Sequence, residues 1–205
     1  AMFFAIIFML FRCEGRDSRE YLEERVGIPI SRVYPTKNLE DLFEQYPYGF
    51  TIHQSYQLGD KSIDINLDGV AKGKPLEGTI KVFNKDSLKA EKTIKVTYFE
   101  GKFSYDNEEE ARKLWTQEKF LFQEMTLNKE ILSEFKIKKT YYDRDSAGFD
   151  LEYIVTNEQI NQFLKLDNQR QVTLGLHGNN ANRLSHYSLS IEVGSDFIFT
   201  EDILY

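Results

Sequence analysis

The chain has 205 residues, a formal net charge of −7, one cysteine and a hydrophobic fraction of 41%. This length and composition fit one large folded domain or two small ones, and they exclude a disordered tail. The acidic balance argues against a nucleic-acid partner, because phosphate binding needs clustered lysines and arginines. A single cysteine excludes an intramolecular disulfide and zinc sites built from several cysteines.

The chain opens with an unbroken apolar run from Met2 to Phe11, which is followed by Arg12 and Cys13. This run is too short to cross a bilayer, which needs about 20 residues, but it suits the hydrophobic region of a signal peptide. A cysteine directly after such a run is typical of a bacterial lipoprotein, whose leader is removed and whose cysteine is lipidated. The run lacks a basic start, and Arg12 stands where a small residue is usual. A buried N-terminal strand or helix is the alternative interpretation.

Two helices are expected before the first strands. Asp17 and Glu20 have the spacing of a capping box, and Gly27 with Pro29 is typical of a helix end. A second helix is expected from Asn38 to Tyr46, because its apolar residues recur at one helical face. We expect this second helix to lie against the sheet.

The segment from Ser62 to Tyr105 predicts the organising part of the fold, because apolar and polar residues alternate with a period of two. Such alternation is typical of antiparallel strands with one buried and one wet face. We expect strands at 62–71, 76–84 and 90–99 to be sequential antiparallel neighbours, with Ile65, Ile80 and Val96 buried. The segment from Thr51 to Gln57 is expected to add an edge strand.

The rest of the chain alternates between helix and strand signals. The predicted fold class is α+β, with a curved, mainly antiparallel β-sheet and helices packed on one face. Residues 1–13 are expected to form the leader that ends at the lipidated cysteine, and residues 14–205 a single domain. The remaining expected elements are helices at 107–115, 128–135 and after Asn157, and strands at 136–142, 149–155, 171–177, 185–193 and around Phe197 and Phe199.

Motifs that carry chemistry are absent from the sequence. The stretch from Asp64 to Gly69 matches the first half of an EF-hand loop, but its twelfth position is Pro75 rather than glutamate. The three histidines lack metal-ligand spacing, and neither a nucleophile elbow nor a phosphate-binding loop occurs. Asp143 and Asp145 are interpreted as turn-forming residues. We therefore expect no catalytic residues, no metal, no cofactor and no bound nucleotide.

Aromatic residues supply the one hint of a binding surface. Tyr46, Tyr48 and Phe50 crowd a single turn, and Tyr141 and Tyr142 must place their rings on opposite faces of one strand. Tyrosines at a protein surface are favoured in protein interfaces. These five residues are therefore candidates for contact with a protein partner. The alternative interpretation is that their rings cover the edges of the core.

A family resemblance begins at Tyr34–Phe43, which reads Tyr-Pro-Thr-Lys-Asn-Leu-Glu-Asp-Leu-Phe. Together with the leader and the short charged helix before it, this segment resembles the staphylococcal tandem lipoproteins. In that family a Tyr-Pro-x-Lys-Asn-Leu-Glu-Asp-Leu segment follows the lipidated N-terminus. The segments from Asn128 to Tyr142 and from Phe197 to Tyr205 are also similar to the family, whereas residues 107–124 do not align.

The resemblance implies a function as well as a fold. It implies a non-catalytic surface antigen that is exported with a signal peptide, carries palmitate or similar acyl chains on Cys13, and sits on the extracellular face of the cell membrane. Its partner would be a host or bacterial protein. An immunity protein that neutralises a secreted toxin is the alternative, and an enzyme is a third hypothesis. A deep pocket with converging histidine, serine and aspartate would favour the enzyme, whereas a flat face rimmed by aromatic residues would favour a binding protein.

Overall fold

The computed structural model describes residues 15, 18–84, 87, 89–179 and 186–205. The apolar run, Arg12 and Cys13 therefore lie outside the described residues, and the leader stays a prediction. Among the described residues, no helix has the length and apolar character that crossing a membrane requires.

The fold is a mainly-sheet α+β domain built on one open, ten-stranded sheet in which every neighbouring pair is antiparallel. The order across the sheet is β5-β4-β3-β2-β1-β10-β9-β8-β7-β6. The strands are β1 (Phe50–Leu58), β2 (Lys61–Gly69), β3 (Leu76–Asn84), β4 (Lys92–Phe99), β5 (Lys102–Tyr105), β6 (Lys136–Tyr142), β7 (Phe149–Val155), β8 (Val172–Asn179), β9 (His186–Val193) and β10 (Phe197–Leu204).

The predicted strands in the middle of the chain are confirmed. β2, β3 and β4 are sequential antiparallel neighbours, and Ile65 pairs with Ile80 across β2 and β3. Ile65, Ile80 and Val96 are all buried. The period-two alternation therefore identified both the strands and their buried face.

The prediction that Thr51–Gln57 forms an edge strand is wrong, because β1 lies in the middle of the sheet. It pairs with β2 on one side and with the terminal strand β10 on the other. β1 thus joins the meander β1–β5 to the second half of the sheet, β6–β10. This junction brings together segments that are about 150 residues apart, and no local sequence signal reports such a pairing.

In the part of the chain that the structure describes, six helical segments accompany the sheet. They are α1 (Arg19–Ser31), a 3-10 helix (Leu39–Glu44), α2 (Glu108–Leu114), α3 (Leu121–Glu124), α4 (Lys129–Glu134) and α5 (Glu158–Phe163). Ring contacts between these segments and the strands, such as Phe163 with Phe199 and Phe135 with Tyr153, place them on one face of the sheet. We call this the inner face, and its apolar residues form the core. The opposite face, on which side chains are partly exposed, is called the open face.

α1 is longer than the sequence indicated. It is capped by Ser18, whose hydroxyl accepts a hydrogen bond from the backbone N–H of Tyr21, and it continues through Gly27 and Pro29. Gly27 does not end the helix. Its backbone lies so close to α4 that a Cβ there would be 2.7 Å from the Cβ of Lys129. This glycine therefore serves helix packing rather than helix termination.

The second predicted helix is a 3-10 helix rather than an α-helix, and Asn38 makes no side-chain cap hydrogen bond to it. Its apolar residues Leu39, Leu42 and Phe43 are buried. The backbone N–H of Leu39 faces the hydroxyl of Tyr98 on β4 at 3.4 Å. The expectation that this segment lies against the sheet is confirmed.

Candidate binding surfaces

The turn from Tyr46 to Gly49 lies at the sheet end where β1 begins and where β2 and β10 finish. The register pairs Phe50 with Gly69 and Thr51 with Leu204, so three strand ends meet there. We define the aromatic rim as the apolar surface formed at this end by Tyr46, Tyr48, Val70, Leu204 and Tyr205. Tyr48 is 99% exposed and Val70 is 77% exposed, while Leu204 and Tyr205 are about half-exposed.

The aromatic rim rests on well-packed rings. Tyr46 stacks on Tyr205 with ring centroids 4.5 Å apart, and Phe50 lies beneath at 6.2 Å from the Tyr46 ring. Phe50 itself is buried and packs on Phe43. Gly49 has a φ of +114°, a conformation that glycine adopts without strain. The sequence therefore builds a fixed base from which Tyr48 projects.

The other two candidate residues lie elsewhere. Tyr142 is buried on the inner face, where its ring meets that of Tyr21 at 6.4 Å, and Tyr141 is 50% exposed on the open face. Their strand, β6, is five strand spacings from β1, or about 24 Å. The five candidate residues thus fall in two separate regions, and the rings of Phe50 and Tyr142 belong to the core.

A histidine, a serine and an aspartate converge on the open face. Nδ1 of His177 lies 2.9 Å from Oδ1 of Asp150, and Nε2 of His177 lies 3.0 Å from Oγ of Ser190. The three residues stand on β8, β7 and β9, and the imidazole lies over Gly175. A Cβ on residue 175 would come within 2.4 Å of Nε2 and 2.5 Å of Oγ. A larger residue at this position would therefore displace the histidine or the serine.

These distances match a nucleophile, base and orienting acid, but their surroundings do not fit acyl transfer. The three strands are interior strands, so their backbone N–H groups bond neighbouring strands rather than pointing out of the face. An oxyanion hole needs such donors aimed at the reacting carbonyl. The groove beside His177 is also shallow rather than deep. The arrangement acts best as a fixed hydrogen-bonded chain.

Asp150 also forms an ion pair with Lys139. Nζ of Lys139 lies 3.3 Å from its second oxygen, Oδ2. Burial acts to raise the pKa of Asp150, but the hydrogen bonds from His177 and Lys139 outweigh it and lower the pKa below its usual value. Asp150 is therefore ionised near neutral pH.

A second histidine–aspartate pair lies in line with His177 across the sheet, because His177 pairs with Ser188, Ser188 with Asp202, and Asp202 with His53. His53 on β1 faces Asp202 on β10, with Nδ1 and Oδ2 3.4 Å apart. The hydrogen bond to Asp202 raises the pKa of His53, although burial opposes the shift. His186, the third histidine, begins β9.

The segment that resembled half an EF-hand loop is part of strand β2. Oδ1 of Asp64 accepts hydrogen bonds from the hydroxyls of Ser55 at 2.7 Å and Ser62 at 3.1 Å, and Asp68 accepts one from Thr51. Its carboxylates thus point along a sheet face rather than into one loop. Within the described ranges, no group of three histidine, cysteine, aspartate or glutamate residues could hold a metal ion.

A buried carboxylate on the inner face was missed by the sequence reasoning. Glu201 on β10 is 1% exposed and accepts four hydrogen bonds. Oε1 receives them from the hydroxyl of Tyr34 at 3.1 Å and the N–H of Phe122 at 2.9 Å; Oε2 receives them from the N–H of Leu121 at 2.6 Å and Nε2 of Gln54 at 2.9 Å. Burial raises the pKa of Glu201 to about 7, against the opposing effect of these hydrogen bonds.

This network ties the sheet to its helical cover. Oε1 of Gln54 accepts a hydrogen bond from the indole N–H of the buried Trp115 at 3.0 Å. Glu201 thereby links β1, β10, the first turn of α3 and, through Gln54, the end of α2. The role of this network is structural, because all of its members lie inside the core.

Comparisons with known proteins do not assign the chain to a family. No protein-family model matches the chain, and no curated protein matches it. Among solved structures, the chain is similar to the crystal structure of the lipoprotein LppX of Mycobacterium tuberculosis, with 10% identity over 91% of this chain and 94% of that chain, and with a TM-score of 0.39. The staphylococcal resemblance stays a prediction.

Proposed function

We propose that this protein is a non-catalytic bacterial surface lipoprotein that binds a protein partner through its aromatic rim. The observation that carries the proposal is the exposure of Tyr48 and Val70 beside the half-exposed Leu204 and Tyr205. Contiguous exposed apolar surface is uncommon on soluble domains and marks interaction sites. Tyrosine is also a frequent anchor residue at interface centres.

The aromatic rim is suited to binding for a second reason, which is its fixed base. The Tyr46–Tyr205 stack and the buried Phe50 hold the turn, so little freedom is lost when a partner docks. Full burial of Tyr48 or Val70 against a partner would contribute about 1.5–3 kcal/mol each. Two such contacts are enough to make this surface an energetic centre of an interface.

The proposed location at the cell membrane rests on the N-terminal sequence. An apolar run that ends at Phe11, two residues before Cys13, supports cleavage of the leader and lipidation of the thiol, as the family resemblance implies. A net charge of −7 gives the domain no attraction to an anionic membrane surface, so attachment would depend on the lipid. Two acyl chains hold a protein stably at a membrane where one does not.

The test is capture of partners from secreted bacterial and host proteins by wild type and by the double variant Tyr48→Ser with Val70→Ser. Ile198→Ser is the matched control, because Ile198 is an exposed apolar residue at the opposite end of strand β10 from Leu204. We expect the double variant to lose the captured protein and the control to retain it. Equal capture by all three proteins would contradict the proposal. The identity of the captured protein separates a host partner from a toxin of the same bacterium.

A further inference from the structure

We propose that a groove on the open face beside Tyr141 binds a neutral saccharide. This Tyr141 groove has a volume of about 390 Å³ and lies where β6 to β9 come together, away from the aromatic rim. Its lining includes the polar and aromatic residues Tyr141, Asp143, Asp150, His177, Asn179 and Ser188.

The register arranges part of this lining in a line. Tyr141 pairs with Asp150, Asp150 with His177, and His177 with Ser188, so four side chains on four neighbouring strands share one cross-strand row. Three strand spacings make the row about 14 Å long. A row of this length can contact a short oligosaccharide rather than a single small ion.

The chemistry of the row matches a sugar. The half-exposed ring of Tyr141 offers a flat apolar surface on which the C–H face of a pyranose can pack. Carboxylate oxygens of Asp150 accept hydrogen bonds from sugar hydroxyls, while the hydroxyl of Ser188 and the amide of Asn179 both donate and accept. Each ring of a saccharide has an apolar face and a rim of hydroxyl groups. A saccharide site therefore needs both an aromatic surface and hydrogen-bonding side chains.

The polar groups of the groove are held in place without a ligand. The chain from Asp150 through His177 to Ser190 fixes the imidazole, and Lys139 holds the other oxygen of Asp150. Nζ of Lys139 also lies 5.8 Å from the centroid of the Tyr141 ring. Binding therefore orders few side chains, which lowers its entropic cost.

Charge and lining argue against anionic and apolar ligands. Asp143 and Asp150 place two carboxylates in the groove, and the charge of nearby Lys139 is already matched by Asp150 and Glu152, so phosphate or an acidic sugar would be repelled. An apolar ligand would strip water from these carboxylates without replacing their hydrogen bonds. A neutral polyhydroxylated ligand is not repelled by the carboxylates, and its hydroxyl groups replace the hydrogen bonds of the water that it displaces.

The experiment is a titration of the ¹⁵N-labelled full chain with millimolar maltotriose, cellotriose and the trimer of N-acetylglucosamine, followed by NMR. We expect at least one trisaccharide to shift the amide signals of Gly148 and Gly178, which border the groove. We expect Tyr141→Ala to weaken that binding by about tenfold or more, since loss of an aromatic contact worth 1.4 kcal/mol corresponds to a factor of about ten. Tyr48→Ala is the control and should bind as wild type does.

Three results would overturn the proposal. The first is an absence of shifts with all three sugars, and the second is binding that Tyr141→Ala leaves unchanged. The third is a response to a lysine-rich peptide but to no sugar, which would assign the groove to a cationic peptide. The dispersion of the variant spectrum shows whether Tyr141→Ala is folded. If it is not, Tyr141→Phe and Ser188→Ala replace it, with unchanged binding by Tyr141→Phe and weakened binding by Ser188→Ala expected.

Discussion

The replacement Glu201→Gln tests the buried network through the pH dependence of stability. In the folded protein, burial raises the pKa of Glu201 from its ordinary value of 4.5 to about 7. A carboxyl group with a higher pKa in the folded state binds its proton more tightly there than in the unfolded chain. The stabilisation from this proton is complete below pH 4.5 and is lost as the pH rises through about 7.

The size of the effect follows from these two pKa values. One pH unit of difference corresponds to about 1.36 kcal/mol, so ionisation of Glu201 lowers the free energy of unfolding by about 3 kcal/mol in total. Most of this change falls between about pH 5 and about pH 8. Glutamine has nearly the same shape as glutamate and does not titrate, so the variant lacks this contribution.

Glutamine also carries a direct penalty. Its amide nitrogen would take the place of one carboxylate oxygen and face that oxygen's donors. These are the Tyr34 hydroxyl and the Phe122 N–H at Oε1, or the Leu121 N–H and Nε2 of Gln54 at Oε2. Each buried donor without an acceptor costs about 1–3 kcal/mol. At about pH 5 the free energy of unfolding should therefore be clearly lower for the variant than for wild type. The difference between the two free energies should narrow toward pH 8, because ionisation of Glu201 destabilises only the wild type.

The assay is urea unfolding of wild type, Glu201→Gln and the control Glu109→Gln at intervals from about pH 5 to about pH 8. Glu109 lies on the exposed side of α2, and its variant should follow the wild-type profile. Groups such as His53 titrate in all three proteins, so they cancel when the profiles are subtracted. Parallel profiles for wild type and Glu201→Gln would refute the reasoning, because they would mean that Glu201 does not change its ionisation in this range.

Four further predictions test the fold, the metal interpretation and the anchor. Ile80→Ala should lower the free energy of unfolding by about 2–5 kcal/mol in urea unfolding, because it removes a fully buried side chain; a loss below about 0.5 kcal/mol, as at surface sites, would contradict this packing. Gly78→Ala should lower the melting temperature strongly, since a Cβ there would lie 1.8 Å from the backbone oxygen of Asn66; an unchanged melting temperature would show that the strands are farther apart. Millimolar calcium should leave the melting temperature unchanged, whereas a native-state ligand at a hundred times its Kd adds about 2.7 kcal/mol; a shift that Asp64→Ala abolishes would overturn the strand interpretation. Cys13→Ala should move the protein from the membrane fraction to the medium when the gene is expressed with its natural start, and equal retention of both forms would rule out the lipid anchor.

The sequence predicted those parts of the fold that depend on local periodicity. β2, β3 and β4 were found because their alternation is regular and their connections are short. The central position of β1 was not predicted, because it depends on pairing with β10, which lies far away along the chain. The end of α1 was misplaced for a similar reason, since the space at Gly27 is set by contact with α4.

The candidate site was predicted in part. Tyr48 was identified from the crowding of aromatic residues in its turn, but its neighbour Val70 becomes part of the same surface only through strand pairing. The contact of His177 with Ser190 depends on the register of β8 and β9 and on the space above Gly175. Burial of Glu201 was open to prediction, because it alternates with the inner-face residues Phe199 and Ile203 of β10.

The most direct test of the proposed function is photo-crosslinking on intact cells from a benzophenone side chain at position 48. The same group at position 198, at the opposite end of β10 from the aromatic rim, is the matched control. The proposal predicts a discrete protein adduct from position 48 and none from position 198. No adduct from position 48, or the same adducts from both positions, would contradict the assignment of the aromatic rim as a partner-binding surface.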